Sequence, residues 1–343
     1  MIKKVLYLLV FIVTASCKMS GTKEILGDGS ITSNFSIEIL DDEALQVLDS
    51  KSTLKIIASG FDWVEGPLWI EDGQYLLFSD IPKNKVYKLN AQNDTVTYLN
   101  PSGFDVENYT GFGPGSNGLL LSPQGQLVLM QHGERRVGVM KSDLDNPSPT
   151  YASIINSFEG KRLNSPNDGV FDKNGNLYFT DPPYGLRNLM EDEDKELDFQ
   201  GVYCLLRSGE LILIDKELSF PNGITLSSDN KLLYVAVSDD KVGGAWFQYS
   251  LEAPGKAVDK KLFYDVKHLL GKPDQQGLPD GLKANSKGYI FATGPGGLWI
   301  FNKEAKPIAR VYTGLLTSNC ALTTNEKRLF LTADSYILAL DLK

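Results

Sequence analysis

Six short stretches of the 343-residue chain place an oxygen-bearing side chain at the entrance to a strand-like segment: Glu65-Gly66, Asn117-Gly118, Asn167-Asp168-Gly169, Asn222-Gly223, Asp280-Gly281 and Asn319-Cys320. Any one Asn-Gly is ordinarily a turn, because both residues tolerate the backbone conformations that turns require. Six such anchors in matching settings imply something more. If the settings are equivalent in space, the side chains converge on one centre, where two carboxylates and several amide oxygens carry a negative charge that a single divalent cation neutralises. Two uncompensated carboxylates buried there would instead shift a pKa or cost stability. Oxygen donors without Cys or His favour Ca2+, with Mg2+ or Mn2+ as alternatives and Zn2+ a weaker one. Two histidines and three cysteines in the whole chain exclude a poly-His zinc site or a Cys-rich cluster, and there is no His-Glu-x-x-His.

The elements that must hold these residues are legible as a repeat. An anchor leads into a strand, a tip of Asp, Asn or Gly type follows, and a second strand rich in large apolar residues returns. Glu65-Gly66-Pro67-Leu68-Trp69 passes through Glu71-Asp72-Gly73 to Tyr75-Leu76-Leu77-Phe78, and Asn167-Asp168-Gly169 passes through Lys173-Asn174-Gly175 to Leu177-Tyr178-Phe179. The anchors recur at intervals of 52, 50, 55, 58 and 39 residues, the range of propeller repeats. A third strand such as Lys85–Leu89 and a fourth such as Thr95–Leu99, Glu210–Ile214 or Lys261–Tyr264 complete each unit. The expected fold is all-β: a six-bladed β-propeller with four-stranded blades. The sixth unit ends without its outer strand, so Ser52–Ile57 is expected to close the ring by pairing with the C-terminal strands. A short surface helix is expected only at Glu191–Leu197.

Composition narrows the partners. A formal charge of −9 argues against a nucleic acid, which needs clustered Lys and Arg. Residues 1–16 read as an export signal: Lys3 and Lys4, the apolar run Val5–Val13, then Thr14, Ala15 and Ser16. The run is too short to span a bilayer as a helix. Cys17 after small residues resembles a bacterial lipobox, so it is expected to be lipidated, with 17–33 a Gly/Ser/Thr/Lys-rich tether and 34–343 the propeller. The expected product is an exported, monomeric lipoprotein of the bacterial periplasm or cell envelope, touching membrane only through its lipid. Cys204 and Cys320 lie in apolar strands; reduced packing residues are favoured over a mutual bridge.

Glu65-Gly66-Pro67, Ser165-Pro166-Asn167-Asp168-Gly169, Pro221-Asn222-Gly223 and Pro279-Asp280-Gly281 resemble, in order and spacing, the gluconolactonase/senescence-marker-protein (regucalcin) family. The resemblance runs from about Ser52 to Lys343. Asn117-Gly118-Leu119, His132-Gly133-Glu134-Arg135-Arg136 and Thr180-Asp181-Pro182-Pro183-Tyr184-Gly185-Leu186 further resemble its bacterial gluconolactonase branch. It implies one catalytic divalent metal in the central channel, held by Glu65, Asn222 and Asp280, with Asn167 a fourth ligand or a substrate contact. Asn117 and Tyr184 join the candidate substrate contacts, although a blade-packing ring accounts for Tyr184 equally well. Where the regucalcin branch has a substrate-binding Arg, Ser165 stands here; Arg135 or Arg136 is a candidate replacement, and a solvated basic turn is an equal account.

The implied reaction is hydrolysis of a sugar lactone by metal-activated water. Asp280 and His132 are the candidate bases, His132 also fitting a structural role. No covalent nucleophile is evident: Ser116, in Pro114-Gly115-Ser116-Asn117-Gly118, lacks the first glycine of a nucleophile elbow. Trp299 reads as core, and His268 falls in a connection between units. The same pocket is compatible with a metal-assisted lyase or epimerase acting on a modified sugar, and the same surface with a binding module whose metal is structural.

Overall fold

Each anchor opens, or immediately precedes, the inner strand of a four-stranded antiparallel sheet, and six such sheets form a six-bladed β-propeller. The computed structural model describes residues 18–20, 35–49, 51–104, 109, 111, 113–241 and 243–343. Blade 1 is Val64–Ile70, Tyr75–Asp80, Lys85–Leu89 and Thr95–Leu99; blade 2 is Ser116–Leu121, Leu127–Gln131, Arg136–Met140 and Tyr151–Ile155. Blade 3 is Gly169–Phe171, Leu177–Asp181, Gly201–Leu205 and Leu211–Asp215, and blade 4 is Pro221–Leu226, Leu232–Val237, Ala245–Ala253 and Lys256–Asp265. Blade 5 contains Leu282–Ala284, Ile290–Gly294, Gly297–Phe301 and Pro307–Tyr312. Blade 6 is Thr317–Leu322, Arg328–Ala333 and Tyr336–Asp341, completed by Leu54–Ser59.

The burial pattern follows from the architecture. Second strands are covered by a neighbouring blade on each face, so Tyr75–Asp80, Leu127–Gln131 and Leu177–Asp181 are buried at every position. They therefore read as continuous runs rather than as alternation. Outer strands lie at the rim and are half exposed, as in Thr95–Leu99. Buried apolar side chains fall into six clusters, one per seam: Leu77, Leu119 and Leu129 join blades 1 and 2, for example, and Leu76, Phe78, Phe330 and Ile337 join blades 6 and 1. Each fully buried Leu or Phe contributes about 1.5–3 kcal/mol.

Ring closure occurs where it was expected, shifted by two residues: Leu54–Ser59 pairs antiparallel with Tyr336–Asp341. The N-terminal region adds strands to the propeller. Ser36–Ile39 adds a fifth strand to blade 5 beside Pro307–Tyr312, and Lys18–Ser20 pairs in turn with Ser36–Ile39. A 3-10 helix, Asp42–Gln46, follows, capped by the Asp41 carboxylate accepting from the Glu43 N–H. Ala44, Val47 and Leu48 then fill the seam between blades 5 and 6. These positions are too short and mixed to carry a period, and packing decides them. No helix forms over 191–197; the local helical turn is the 3-10 segment Leu189–Glu191. Cys204 and Cys320 are free and buried. The export signal and Cys17 lie outside the described residues, and among those described no helix is long and apolar enough to cross a membrane.

The glycines of the first, second and fourth anchors have a shared packing reason. A Cβ on Gly66 would lie 2.1 Å from the Asn117 carbonyl oxygen, and one on Gly223 would lie 2.2 Å from that of Asp280. Successive blades meet backbone to backbone at the axis, and only glycine permits that approach. Hydroxyls sew the same seams. Ser79 donates to the Asn117 carbonyl at 2.8 Å, Thr180 to that of Asn222 at 2.6 Å, and Ser318 to that of Val64 at 2.7 Å. Each anchor is thereby held by the blade next to it.

Candidate active site

Glu65, Asn117, His132, Asn167, Asn222 and Asp280 line one cavity of about 780 Å3 at the mouth of the central channel. Five blades thus bring oxygen-bearing side chains to the cavity, and blade 2 adds an imidazole as well. Glu65 is 3% exposed, and its Oε2 accepts from its own neighbour's amide, Gly66 N–H, at 2.9 Å and from Asn319 Nδ2 at 3.2 Å. Burial, and then the Asp168 charge, push the Glu65 carboxyl up to about 7 against those two hydrogen bonds. Asp280 is partly exposed as a residue, yet its Oδ1 is shielded from solvent and has no hydrogen-bond partner among the described residues. Burial and the carboxylates of Glu65 and Asp168 raise it well above the usual range. Such a pair is held apart from neutrality only by a counter-charge.

Tyr184 lines the cavity with its ring tilted against Phe220 at 5.7 Å between centroids. Its phenol interacts with Ser238 and Asn222 and is raised by burial and by the nearby Asp280 charge. Asn222 Nδ2 in turn donates to Ser238 Oγ at 3.0 Å, which leaves its carbonyl oxygen free of that bond. His132 is buried, its Nε2 has no partner among the described residues, and burial lowers it to about 4. It is therefore neutral at physiological pH and able to make one further hydrogen bond, as donor or acceptor according to tautomer.

Two expectations fail. Arg135 does not reach the cavity: Nε donates to the carbonyls of Leu163 and Asn164 at 2.8 and 3.0 Å, and Nη1 to that of Asp194 at 2.7 Å. It fastens the loops of blades 2 and 3, in a backbone conformation with φ of 54°. Arg136 is committed to Gln131, Nε to Oε1 at 2.6 Å. The sixth anchor also departs from the ring. Asn319 does not line the cavity; Thr317 and Ser318 do, while its amide turns to Glu65 and to Asp168 Oδ2 at 3.3 Å. Trp299 is core, stacked under Arg310, and His268 is exposed in a 3-10 turn.

Asp168 and Lys283 are site residues that the anchor reading passed over. Asp168 is buried, accepts from the Gly169 N–H at 2.8 Å and pairs with Lys283 Nζ at 3.5 Å. It comes from blade 3, Lys283 from blade 5 and Asn319 from blade 6, so these side chains bridge the channel beside Glu65. The signal was in the pattern. In blade 3 the residue directly before glycine is Asp168, and like Asn319 it accepts from the N–H that follows it. Asn167, one position earlier, corresponds to Ser318: the carbonyls of both accept an N–H from the preceding blade's anchor glycine, Gly118 or Gly281.

The donor set fits a divalent cation. Asp280 Oδ1 and Asn117 Oδ1 are buried oxygens without partners among the described residues, they face the same cavity as Glu65, and all are hard donors. Among the described residues no cluster of three or more His, Cys, Asp or Glu forms a ligand set, so amide oxygens must complete one.

A six-bladed propeller with one acidic, amide-rich pocket at its axis is the class that fold and site define. The chain belongs to the SMP-30/gluconolactonase/LRE-like family, which it matches over residues 63–335. It is 36% identical to a gluconolactonase of Zymomonas mobilis over 296 residues, 85% of this chain and 82% of that protein. A solved gluconolactonase structure from Xanthomonas campestris superposes with a TM-score of 0.76 at 26% identity, over 89% of this chain and 94% of that one. A calcium-binding regucalcin of Agrobacterium tumefaciens shares the fold, with a TM-score of 0.64 at 16% identity over 85% and 95% of the two chains.

Proposed function

We propose that the protein is a lactonase that hydrolyses a sugar lactone or related cyclic ester in the central cavity, with a divalent cation, Ca2+ by preference, as cofactor. The observation that carries this reading is the pair Glu65 and Asp280, two desolvated carboxyls in one cavity, one with an oxygen that nothing among the described residues satisfies. Glu65, Asn222 and Asp280 would hold the cation, with the Asn167 or Asn117 side chain adding an oxygen. A cation bound there polarises an ester carbonyl and lowers the pKa of a water.

The chain's own groups supply the rest. The Asp280 carboxylate, which faces the same cavity, is the acceptor for the proton of the attacking water. Water adds to the lactone carbonyl carbon, the ring C–O bond breaks, and the ring oxygen leaves as an alcohol on the same molecule, taking up the proton. His132 Nε2, neutral and unpartnered, hydrogen-bonds substrate oxygen rather than serving as a strong base. Tyr184 and Ser238 fix Asn222, and the channel bridge of Asp168, Lys283 and Asn319 holds Glu65 in place.

Purified protein is expected to open δ-gluconolactone faster than spontaneous hydrolysis, with the gain removed by EDTA and restored by Ca2+. Absence of turnover from folded, calcium-loaded protein refutes the reading. The reading includes export and lipidation at Cys17; labelled palmitate incorporated by the full chain and lost in Cys17→Ala would support it, and incorporation by neither would reject it.

A further inference from the structure

The polar floor of the cavity occupies only part of its wall. Trp63, Ile81, Pro82, Leu189, Leu278 and Leu316 line the remainder, and among the described lining residues there is no Lys or Arg. Leu316 is 39% exposed although Leu315 beside it is buried, and its N–H is fixed by Asp334 Oδ2 at 3.1 Å. Leu189 adopts φ of 51°, a region that a bulky residue enters only under strain. Gly or Asn would occupy that position at ease; the structure keeps an aliphatic side chain there. Sugar hydroxyls gain nothing against aliphatic carbon, and those desolvated without a partner are penalised. A hydrocarbon chain gains about fourfold in affinity for each methylene it buries. The cavity volume also falls within the range of about 300–1,000 Å3 that drug-sized ligands use, larger than a bare hexose lactone needs.

We infer that the preferred substrate is a lactone ring bearing an aliphatic substituent, the ring ester on the Glu65–Asp280 floor and the substituent along Ile81, Leu189, Leu278 and Leu316. This rests on the lactonase reading and specifies its substrate class. Water exclusion by the substituent also dries the carboxylate floor, which strengthens its electrostatics.

The test is a kcat/KM series on calcium-loaded protein: δ-valerolactone, δ-octalactone, δ-decalactone and δ-gluconolactone, with wild type, Leu316→Ser and the double variant Leu278→Asn/Leu316→Ser. The expected result is a rise of about fourfold per methylene in the first steps of the alkyl series, and a decalactone preference over gluconolactone of about tenfold or more. The decalactone-to-valerolactone ratio should fall by about tenfold in the double variant, and in part in Leu316→Ser, whose exposed position tolerates Ser. A flat or falling series with gluconolactone opened fastest overturns the inference and leaves the lactonase reading standing. A ratio unmoved by both variants overturns it too. No turnover of any lactone by folded protein sinks both.

Discussion

Asn319 Nδ2 donates to Glu65 Oε2 at 3.2 Å and stands 3.3 Å from Asp168 Oδ2, so one amide serves two carboxylates from different blades. Blade 6 meets blade 1 at this point, and the closure of the ring and the posture of a candidate ligand are therefore the same contact. Asn319→Leu removes the donor and leaves both carboxylates short of a partner. We expect a loss of about 1–3 kcal/mol in denaturant unfolding together with weaker Ca2+ binding by calorimetry. Unchanged affinity would show that the amide is merely packing.

Neutralising either carboxylate should separate stability from activity. Glu65→Gln and Asp280→Asn are expected to reduce lactonase kcat by about a hundredfold or more while retaining the propeller's circular dichroism. Because the two groups destabilise each other when charged, the metal-free variants should melt at a higher temperature than metal-free wild type at pH 8. Full activity in both variants would remove these residues from the site.

The metal-free protein should be less stable at pH 8 than at pH 5.5. The folded-state pKa of Glu65 is raised to about 7 by burial. Its contribution is complete below the unfolded carboxylate value and is lost as pH climbs through about 7. Asp181, raised to about 7 by burial, acts in the same direction although the Asn164 and Ser165 N–H groups hydrogen-bond it. Glu65→Gln should therefore reduce the pH dependence without abolishing it. With Ca2+ the trend opposes this, since protons compete for the ligand and affinity grows with pH. Melting curves in EDTA and in Ca2+ at both pH values provide the check.

Gly66→Ala should be among the most damaging single-methyl changes in the chain. Its Cβ would enter the Asn117 carbonyl at 2.1 Å, from a residue with φ of 53°. A loss of about 3 kcal/mol or more is expected, read from thermal or urea unfolding. Gly125→Ala, with φ of 77° but open space around it, should cost only the backbone strain, about 1 kcal/mol.

Arg135→Met tests the corrected role of that residue. Three hydrogen bonds to loop carbonyls are lost, so stability should drop by about 1–3 kcal/mol. KM for the lactone should stay within about threefold, since no contact to the cavity is removed. A large rise in KM with unchanged stability would return Arg135 to the substrate.

How far the chain could be read without its structure differs between parts of the molecule. The six-fold repeat was legible because the blades share features: a glycine at the axis in the first five, an apolar second strand and a tight tip. Those demands are local, and they leave residues such as Gly66, Gly223 and Tyr75–Asp80 in the sequence at regular spacing. The convergence of Glu65, Asn222 and Asp280 on one cavity was legible for the same reason, as each stands at one fixed position of that repeat. What the repeat could not show was which neighbours a side chain finds across the channel. Asp168, Lys283 and Asn319 come together from blades 3, 5 and 6, and Ser36–Ile39 finds its partner more than 250 residues away in Pro307–Tyr312. The diversion of Arg135 from pocket to scaffold belongs with these, since only loop closure brings the Leu163 and Asp194 carbonyls to its guanidinium. The amino-acid order thus specified the blade and its anchors through short-range steric and hydrophobic requirements. Ring closure, which sets the distances between blades, decided which charges meet, which are shielded, and which oxygen is left for a ligand.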